Sequence, residues 1–194
     1  MSKKTLDLES APRQVRIIAG RWRGTKLPVV LKEGVRPTPN RVKETLFNWL
    51  QPQIEGSHCL DLFAGSGALG LEAVSRGATQ ATLVDSDAQI IALLSQQVEK
   101  LRAHKDVRIC HDDAYAYLEK DSNAFDIIFL DPPFSIYHPE QLLQQLLNSA
   151  CIKLSTCIYL ETAAEKFPQI PPKSWQWRRQ LKAGQVECGL LVAN

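Results

Sequence analysis

The sequence predicts an α/β fold: a mostly parallel, seven-stranded sheet closed by an antiparallel C-terminal hairpin, with a small basic N-terminal extension. Three observations predict it. From residue 58 onward, short and nearly continuous apolar runs alternate with amphipathic stretches, the pattern of parallel strands covered on both faces by crossover helices. The last two runs, 175–180 and 186–192, have only Lys182-Ala183-Gly184-Gln185 near their junction, so they form a hairpin rather than a crossover. Charge is divided unevenly: residues 1–43 hold eleven Lys/Arg against three Asp/Glu, a net +8, and the remainder is net −6.

Residues 1–12 have no periodicity and are expected to be disordered; 13–52 form the basic extension and 53–194 the main domain. In 13–35, Val15-Arg16-Ile17-Ile18 alternates and Gly20, Gly24 and Gly34 punctuate, predicting a β-hairpin. Thr38-Pro39 reads as an N-cap followed by proline at the first helical position. The helix then carries Val42, Thr45, Leu46, Trp49 and Leu50 on one face. In the main domain the predicted strands are 58–62, 81–84, 107–110, 125–130 and 157–161, followed by the hairpin strands. Between them lie a glycine turn at 64–67 with a helix to Arg76 closed by Gly77, a helix capped by Asp87, and helices at 114–118 and 139–149. The stripe of the Asp87-capped helix is Ile90, Ile91, Leu94, Val98 and Leu101.

No apolar run exceeds strand length, and no apolar region follows the basic N-terminus, so no membrane span or signal peptide is expected. Five scattered cysteines without C-x-x-C spacing predict reduced thiols in a cytoplasmic protein, with no metal site. A +8 arm on an acidic body points to a polyanionic partner.

Ligands of such sheets bind beyond the carboxyl ends of the strands, where every chemically suggestive motif falls. Gly65-Ser66-Gly67-Ala68-Leu69-Gly70 spells G-x-G-x-x-G, which serves several nucleotide cofactors. A dinucleotide site sets its first glycine at the strand end, whereas here Leu62-Phe63-Ala64 intervene after Asp61, and a carboxylate there opposes a pyrophosphate. Asp85 ends the second strand, where an acid accepts ribose hydroxyls or merely begins a helix. Asp113-Ala114 follows the third. Asp131-Pro132-Pro133-Phe134 ends the fourth. Neither proline has an N–H, so the local groups are acceptors, the Asp131 carboxylate and the Pro132 carbonyl. That set suits an NH2 donor, with Phe134 as a stacking face.

Asp61-Leu62-Phe63-Ala64-Gly65-Ser66-Gly67 resembles motif I of the class I methyltransferases, which have a Rossmann-like fold. The resemblance implies S-adenosyl-L-methionine as cofactor and S-adenosyl-L-homocysteine as product, held by Asp61 at the ammonium and by Phe63, Ala64, Gly65, Ser66 and Gly67. It also implies Asp85 at the ribose, Asp113 and Ala114 at the adenine, and Thr38 facing the cofactor. The tetrapeptide resembles the [DNS]-P-P-[YF] signature of amino-methyltransferases, making Asp131, Pro132, Pro133 and Phe134 the expected catalytic set. Arg16-Ile17-Ile18-Ala19-Gly20-Arg21-Trp22-Arg23-Gly24, the stretch from Arg36 to Leu50, and Ala183-Gly184-Gln185-Val186 extend the likeness to about residues 13–190. With them the chain is similar to the RsmD family, bacterial methyltransferases of the guanine N2 amine at position 966 of 16S ribosomal RNA.

That likeness implies 16S rRNA as partner, in a small-subunit assembly intermediate or outside one, and a monomer acting without a membrane. Arg16, Arg21, Trp22, Arg23, Arg36, Arg41 and Lys43 are the expected RNA contacts, with Arg178, Arg179 and Lys182 in support. The stretch Ser135-Ile136-Tyr137-His138 departs from expectation by lacking basic residues. Two alternatives remain on sequence grounds. A DNA adenine-N6 or cytosine-N4 methyltransferase needs a target-recognition domain for which the chain is short. A non-catalytic RNA-binding protein fits poorly with intact Asp61, Gly65, Gly67, Asp85 and Asp131.

Overall fold

The structure is a computed structural model that describes residues 14–30, 40–133, 136–169 and 173–194. The tail expected at 1–12 lies outside the described residues, as do Arg36, Thr38 with its Pro39 neighbour, and Phe134.

The predicted sheet forms. Strands β3 (His58–Asp61), β4 (Gln80–Asp85), β5 (Val107–His111), β6 (Ile127–Leu130) and β7 (Cys157–Ala163) run parallel. The hairpin of β8 (Trp175–Ala183) and β9 (Val186–Ala193) is antiparallel, giving the order β5-β4-β3-β6-β7-β9-β8. Helices α2 (Ala68–Ser75), α3 (Ala88–Lys100), α4 (Ala114–Lys120) and α5 (Pro139–Leu147) make the crossovers. All four residues of β6, Ile-Ile-Phe-Leu, are buried, as a strand covered on both faces requires. Alternate side chains divide between two core clusters: Ile127 and Phe129 pack with a cluster that includes Leu46, Phe47 and Leu50, Ile128 and Leu130 with α4 and α5. Asp87 caps α3, its Oδ1 accepting the Gln89 N–H at 2.8 Å. All five cysteine thiols are free, and only Cys110 is not fully buried.

The chain enters at β3, moves outward through β4 to β5, then returns to β6 on the other side of β3. The strand order therefore reverses between β3 and β6, the switch point beyond whose carboxyl ends such sheets bind ligands.

Residues 14–30 and 40–52 pack against the main sheet. Strands β1 (Gln14–Arg16) and β2 (Lys26–Pro28) form the expected hairpin, and α1 (Asn40–Ile54) runs past the predicted boundary at 52. Val15, Ile17, Leu27, Val42, Leu46, Phe47 and Leu50 join the core cluster that contains Cys59, Leu83 and Phe129. The buried face of α1 is also rotated from prediction. Lys43 and Phe47 are buried, whereas Thr45 and Trp49 are half-exposed. Phe47 is drawn inward by Phe129, with ring centroids 6.0 Å apart, and is covered by the Arg76 guanidinium at 4.9 Å.

Glu72 of α2 fastens this segment. It is fully buried, and its two oxygens accept the N–H groups of Ile18 (2.7 Å) and Ala19 (2.9 Å) and the Nε–H of Arg76 (2.7 Å), with Lys43 Nζ at 3.5 Å. Ser75 continues the seam: its carbonyl accepts the Arg21 N–H at 2.8 Å and its Oγ accepts the Trp22 N–H at 3.0 Å.

Candidate active site

The glycine loop is pinned between its flanking strands. The Leu62 N–H donates to Phe129 O at 3.2 Å, and the Ala64 N–H to Val84 O at 2.9 Å. Gly67 turns the chain into α2 with φ 75°, left-handed backbone that favours glycine. Gly70 is present for a different reason: a Cβ there would lie 2.2 Å from Leu83 Cδ2 and 3.3 Å from Asp61 Oδ2. Only a residue without a side chain lets α2 pack so closely on β4.

Asp61 ends β3 beside the loop. It is 2% exposed, and its Oδ2 accepts the Gly70 N–H at 2.9 Å, with the Phe63 N–H bonding the same carboxyl. Burial pushes its pKa up to about 7, against the lowering effect of those two bonds. The carboxyl ties the strand end to the loop and to α2.

Asp85 and Asp113 sit at the next two strand ends. Asp85 accepts the Gly65 N–H on Oδ2 and the Asp87 N–H on Oδ1, each at 3.0 Å, joining the glycine loop to the start of α3. Asp113 is exposed and caps α4, its Oδ1 accepting the N–H groups of Tyr115 (2.9 Å) and Ala116 (3.3 Å). Ala114 is buried and its neighbouring Asp113 amide donates to Asp112 Oδ1 at 3.0 Å. The half-buried Phe63 ring stands 4.7 Å from the Tyr137 ring. Ser66 is half-buried in the loop.

Asp131 lies two residues beyond Phe129, and Phe129 is the register partner of Asp61 on β3. The tetrapeptide therefore begins directly beside the glycine loop. Asp131 and Pro133 are half-buried and Pro132 is buried. The Pro133 carbonyl accepts the Ile136 N–H at 3.1 Å, turning the chain back toward α5. Tyr159 of β7 is close enough for Asp131 to influence its titration; its own hydroxyl donates to Glu161 Oε2 at 2.5 Å. A separate groove of about 450 Å³ along α5, lined in part by Leu143, Leu147, Pro168 and Trp175, contains none of these motif residues.

Residues 15–192 match the family model described as Conserved hypothetical protein 95. The chain is 41% identical over 186 residues to ribosomal RNA small subunit methyltransferase D of Haemophilus influenzae, covering 94% of this chain and 96% of that one. Against the Escherichia coli K12 protein of the same name it is 42% identical over 177 residues, covering 91% and 89%. The chain belongs to the RsmD family. It is a methyltransferase by that membership. The solved structure of Escherichia coli yhhF superposes with a TM-score of 0.83 at 41% identity, covering 93% of this chain and 98% of that one. The fold is shared further with a Thermus thermophilus 16S rRNA N2 G1207 methyltransferase solved with AdoMet and guanosine. There the TM-score is 0.65 at 24% identity, over 93% of this chain and 49% of that one.

Within this RsmD-family fold the expected RNA residues scatter. Lys43 is not on the surface: it is 1% exposed, and its Nζ donates to Arg16 O at 2.6 Å beside Glu72. Desolvation holds its pKa below the usual lysine value although Glu72 opposes the shift. That removes it from the RNA contacts. Arg21 pairs with Asp106 at 2.6 Å and lies over the half-buried Trp22 ring at 4.2 Å. Since Ser75 ends α2 and Asp106 precedes β5, the Arg21-Trp22-Arg23 turn sits at the end of the sheet opposite the motif loops. Arg16, Arg23 and Arg41 are exposed, Arg41 in the first turn of α1, the end away from β3. On the far edge strand, Arg178, Arg179 and Lys182 are exposed around a bulge between Trp177 and Arg179. Val186 pairs with Ala163, so the β8–β9 turn beside Lys182 is at the motif end. Sequence reasoning missed Glu72 and Tyr137. Glu72 reads as an ordinary helical acid, and nothing in the pattern around Tyr137 sets it apart.

Proposed function

We propose that this chain transfers a methyl group from S-adenosyl-L-methionine to the exocyclic N2 amine of a guanine in 16S rRNA during small-subunit assembly, acting as a monomer in the bacterial cytoplasm. The observation that carries the proposal is the adjacency of Asp131-Pro132 to the glycine loop at the β3–β6 switch point. The donor set fits the cofactor: Asp85 and Asp113 at successive strand ends offer carboxylate acceptors to a ribose diol and to an amino-purine, with the Phe63 ring beside them. When bound there, S-adenosylmethionine supplies a methyl carbon activated by a sulfonium, and S-adenosylhomocysteine is the product.

The protein's own part is positioning. A guanine N2 is a poor nucleophile because its lone pair is delocalised into the ring. The Asp131 carboxylate and Pro132 carbonyl accept its two hydrogens, hold the nitrogen nearer tetrahedral geometry and turn its lone pair out of the ring plane. Asp131 also stabilises the positive charge that grows on the nitrogen and accepts a proton from it. Phe134 gives the flipped base a stacking face, and the exposed Arg16, Arg23 and Arg41, together with Arg36, hold phosphates. With Arg21 and Trp22 facing the opposite end, their RNA contact is with a part of the substrate remote from the target base.

The test is nucleoside mass spectrometry of 16S rRNA from a deletion strain complemented with wild type or Asp131→Ala. Wild type restores N2-methylguanosine. The variant loses about a thousandfold in kcat while calorimetry shows cofactor affinity within about twofold of wild type. Failure of wild type to restore the nucleoside sinks the substrate assignment, and a near-normal rate for the variant sinks the role of Asp131.

A further inference from the structure

Tyr137, from the segment after the tetrapeptide, meets Phe63 of the glycine loop and Asp113 beyond β5. Its hydroxyl donates to Asp113 Oδ2 at 2.9 Å. Its ring stands edge-on to Phe63 at 4.7 Å between centroids and tilted against Tyr115 at 5.5 Å. The other oxygen of Asp113 is committed to the cap of α4. Oδ2 is thus the oxygen that serves a donor from outside the helix, and the donor it serves is the phenol.

An amino-purine presents the same two features, a flat aromatic body and a hydrogen-bond donor at its edge. We propose that Tyr137 is an internal competitor for the adenine subsite, holding Asp113 and its aromatic surroundings until the adenosine end of the cofactor displaces it. The inference rests on the assignment of Asp113 to adenine in the proposed function. Competition of this kind lowers the observed cofactor affinity by the fraction of molecules in which the phenol is out of the way. It also links the two ends of the site. The N–H groups of Ile136 and Tyr137 both reach Pro133 O, at 3.1 and 3.5 Å, so Tyr137 is one turn from the backbone that presents acceptors to the target amine.

The test uses the full chain as wild type, Tyr137→Phe and Tyr137→Ala, titrated calorimetrically with S-adenosylhomocysteine and, by ligand-observed NMR, with adenosine. Tyr137→Phe keeps the ring and removes the donor, so S-adenosylhomocysteine binds about threefold to tenfold tighter. Tyr137→Ala gains at least as much. Adenosine, which carries only the contested end, gains by the same factor; thermal unfolding of each variant verifies that it is folded. Equal or weaker S-adenosylhomocysteine binding by both variants overturns the proposal and makes Tyr137 a wall of the subsite. A gain for S-adenosylhomocysteine without one for adenosine overturns it too. Absence of binding by wild type overturns the cofactor assignment itself, and this inference with it.

Discussion

Replacing Lys43 by alanine separates a buried structural cation from an RNA contact. The Lys43 side chain is 1% exposed, its Nζ donates to the Arg16 carbonyl at 2.6 Å, and the fully buried Glu72 lies 3.5 Å away. Truncation removes one of the two cations flanking Glu72, orphans the Arg16 carbonyl and leaves the space of the lysine stem empty. Breaking a buried pair costs about 3–5 kcal/mol. Arg76 and the N–H groups of Ile18 and Ala19 still hold Glu72, which places the loss near the lower end, about 3 kcal/mol. For a chain of this size that lowers Tm by roughly 6–12 °C. Urea unfolding followed by tryptophan fluorescence measures the loss, and RNA binding below the transition should keep the wild-type salt slope, since no phosphate contact is removed. Stability within about 0.5 kcal/mol of wild type, together with a shallower salt slope, would refute the buried pair and return Lys43 to the surface.

The buried Asp61 makes stability pH-dependent. Its carboxyl is raised from 3.8 to about 7, so between those values the folded protein holds the proton more tightly than the unfolded chain. The stabilisation it contributes is full below 3.8 and is lost as pH rises through 7, by at most about 4 kcal/mol. Asp61→Asn does not titrate, so its stability relative to wild type should improve from pH 4 to pH 8; a flat difference in chemical denaturation across that range contradicts the shift. Gly70→Ala forces a methyl into Leu83 and should cost about 1–3 kcal/mol in stability. The same displacement moves the glycine loop, so calorimetry should show weaker S-adenosylhomocysteine binding; unchanged affinity and stability together would mean that α2 relaxes freely.

Much of the main domain was legible because its signals are local. The Ile127-Ile128-Phe129-Leu130 run predicts a strand covered on both faces, Asp87 predicts a cap, and both are present where expected. Strand ends were less legible because pairing decides them: β7 continues to Ala163, two residues past the expected end, where Val186 of β9 is opposite. The placement of the motifs at neighbouring strand ends was readable for a similar reason. Asp61-Leu62-Phe63-Ala64-Gly65-Ser66-Gly67 and Asp131-Pro132-Pro133 each carry their backbone geometry and donor set within a few residues, and the sheet needs only to bring the two strand ends together.

What the sequence alone determined was therefore the α/β order, the glycine loop and the acceptor pair that ends β6. Tertiary structure decided what those residues face. Lysine and arginine read as surface charge until a distant partner is known: Glu72 is 29 positions from Lys43, and Asp106 is 85 from Arg21. Packing α1 and the β1–β2 hairpin against α2 buries Lys43 and turns Arg21 to the opposite end of the sheet. Folding likewise turns Asp61 inward onto Gly70 and carries Tyr137 across to Asp113. Periodicity records which face of an element is apolar, whereas a polar group's partner is chosen by which elements meet. That choice exists only once the chain has closed on itself.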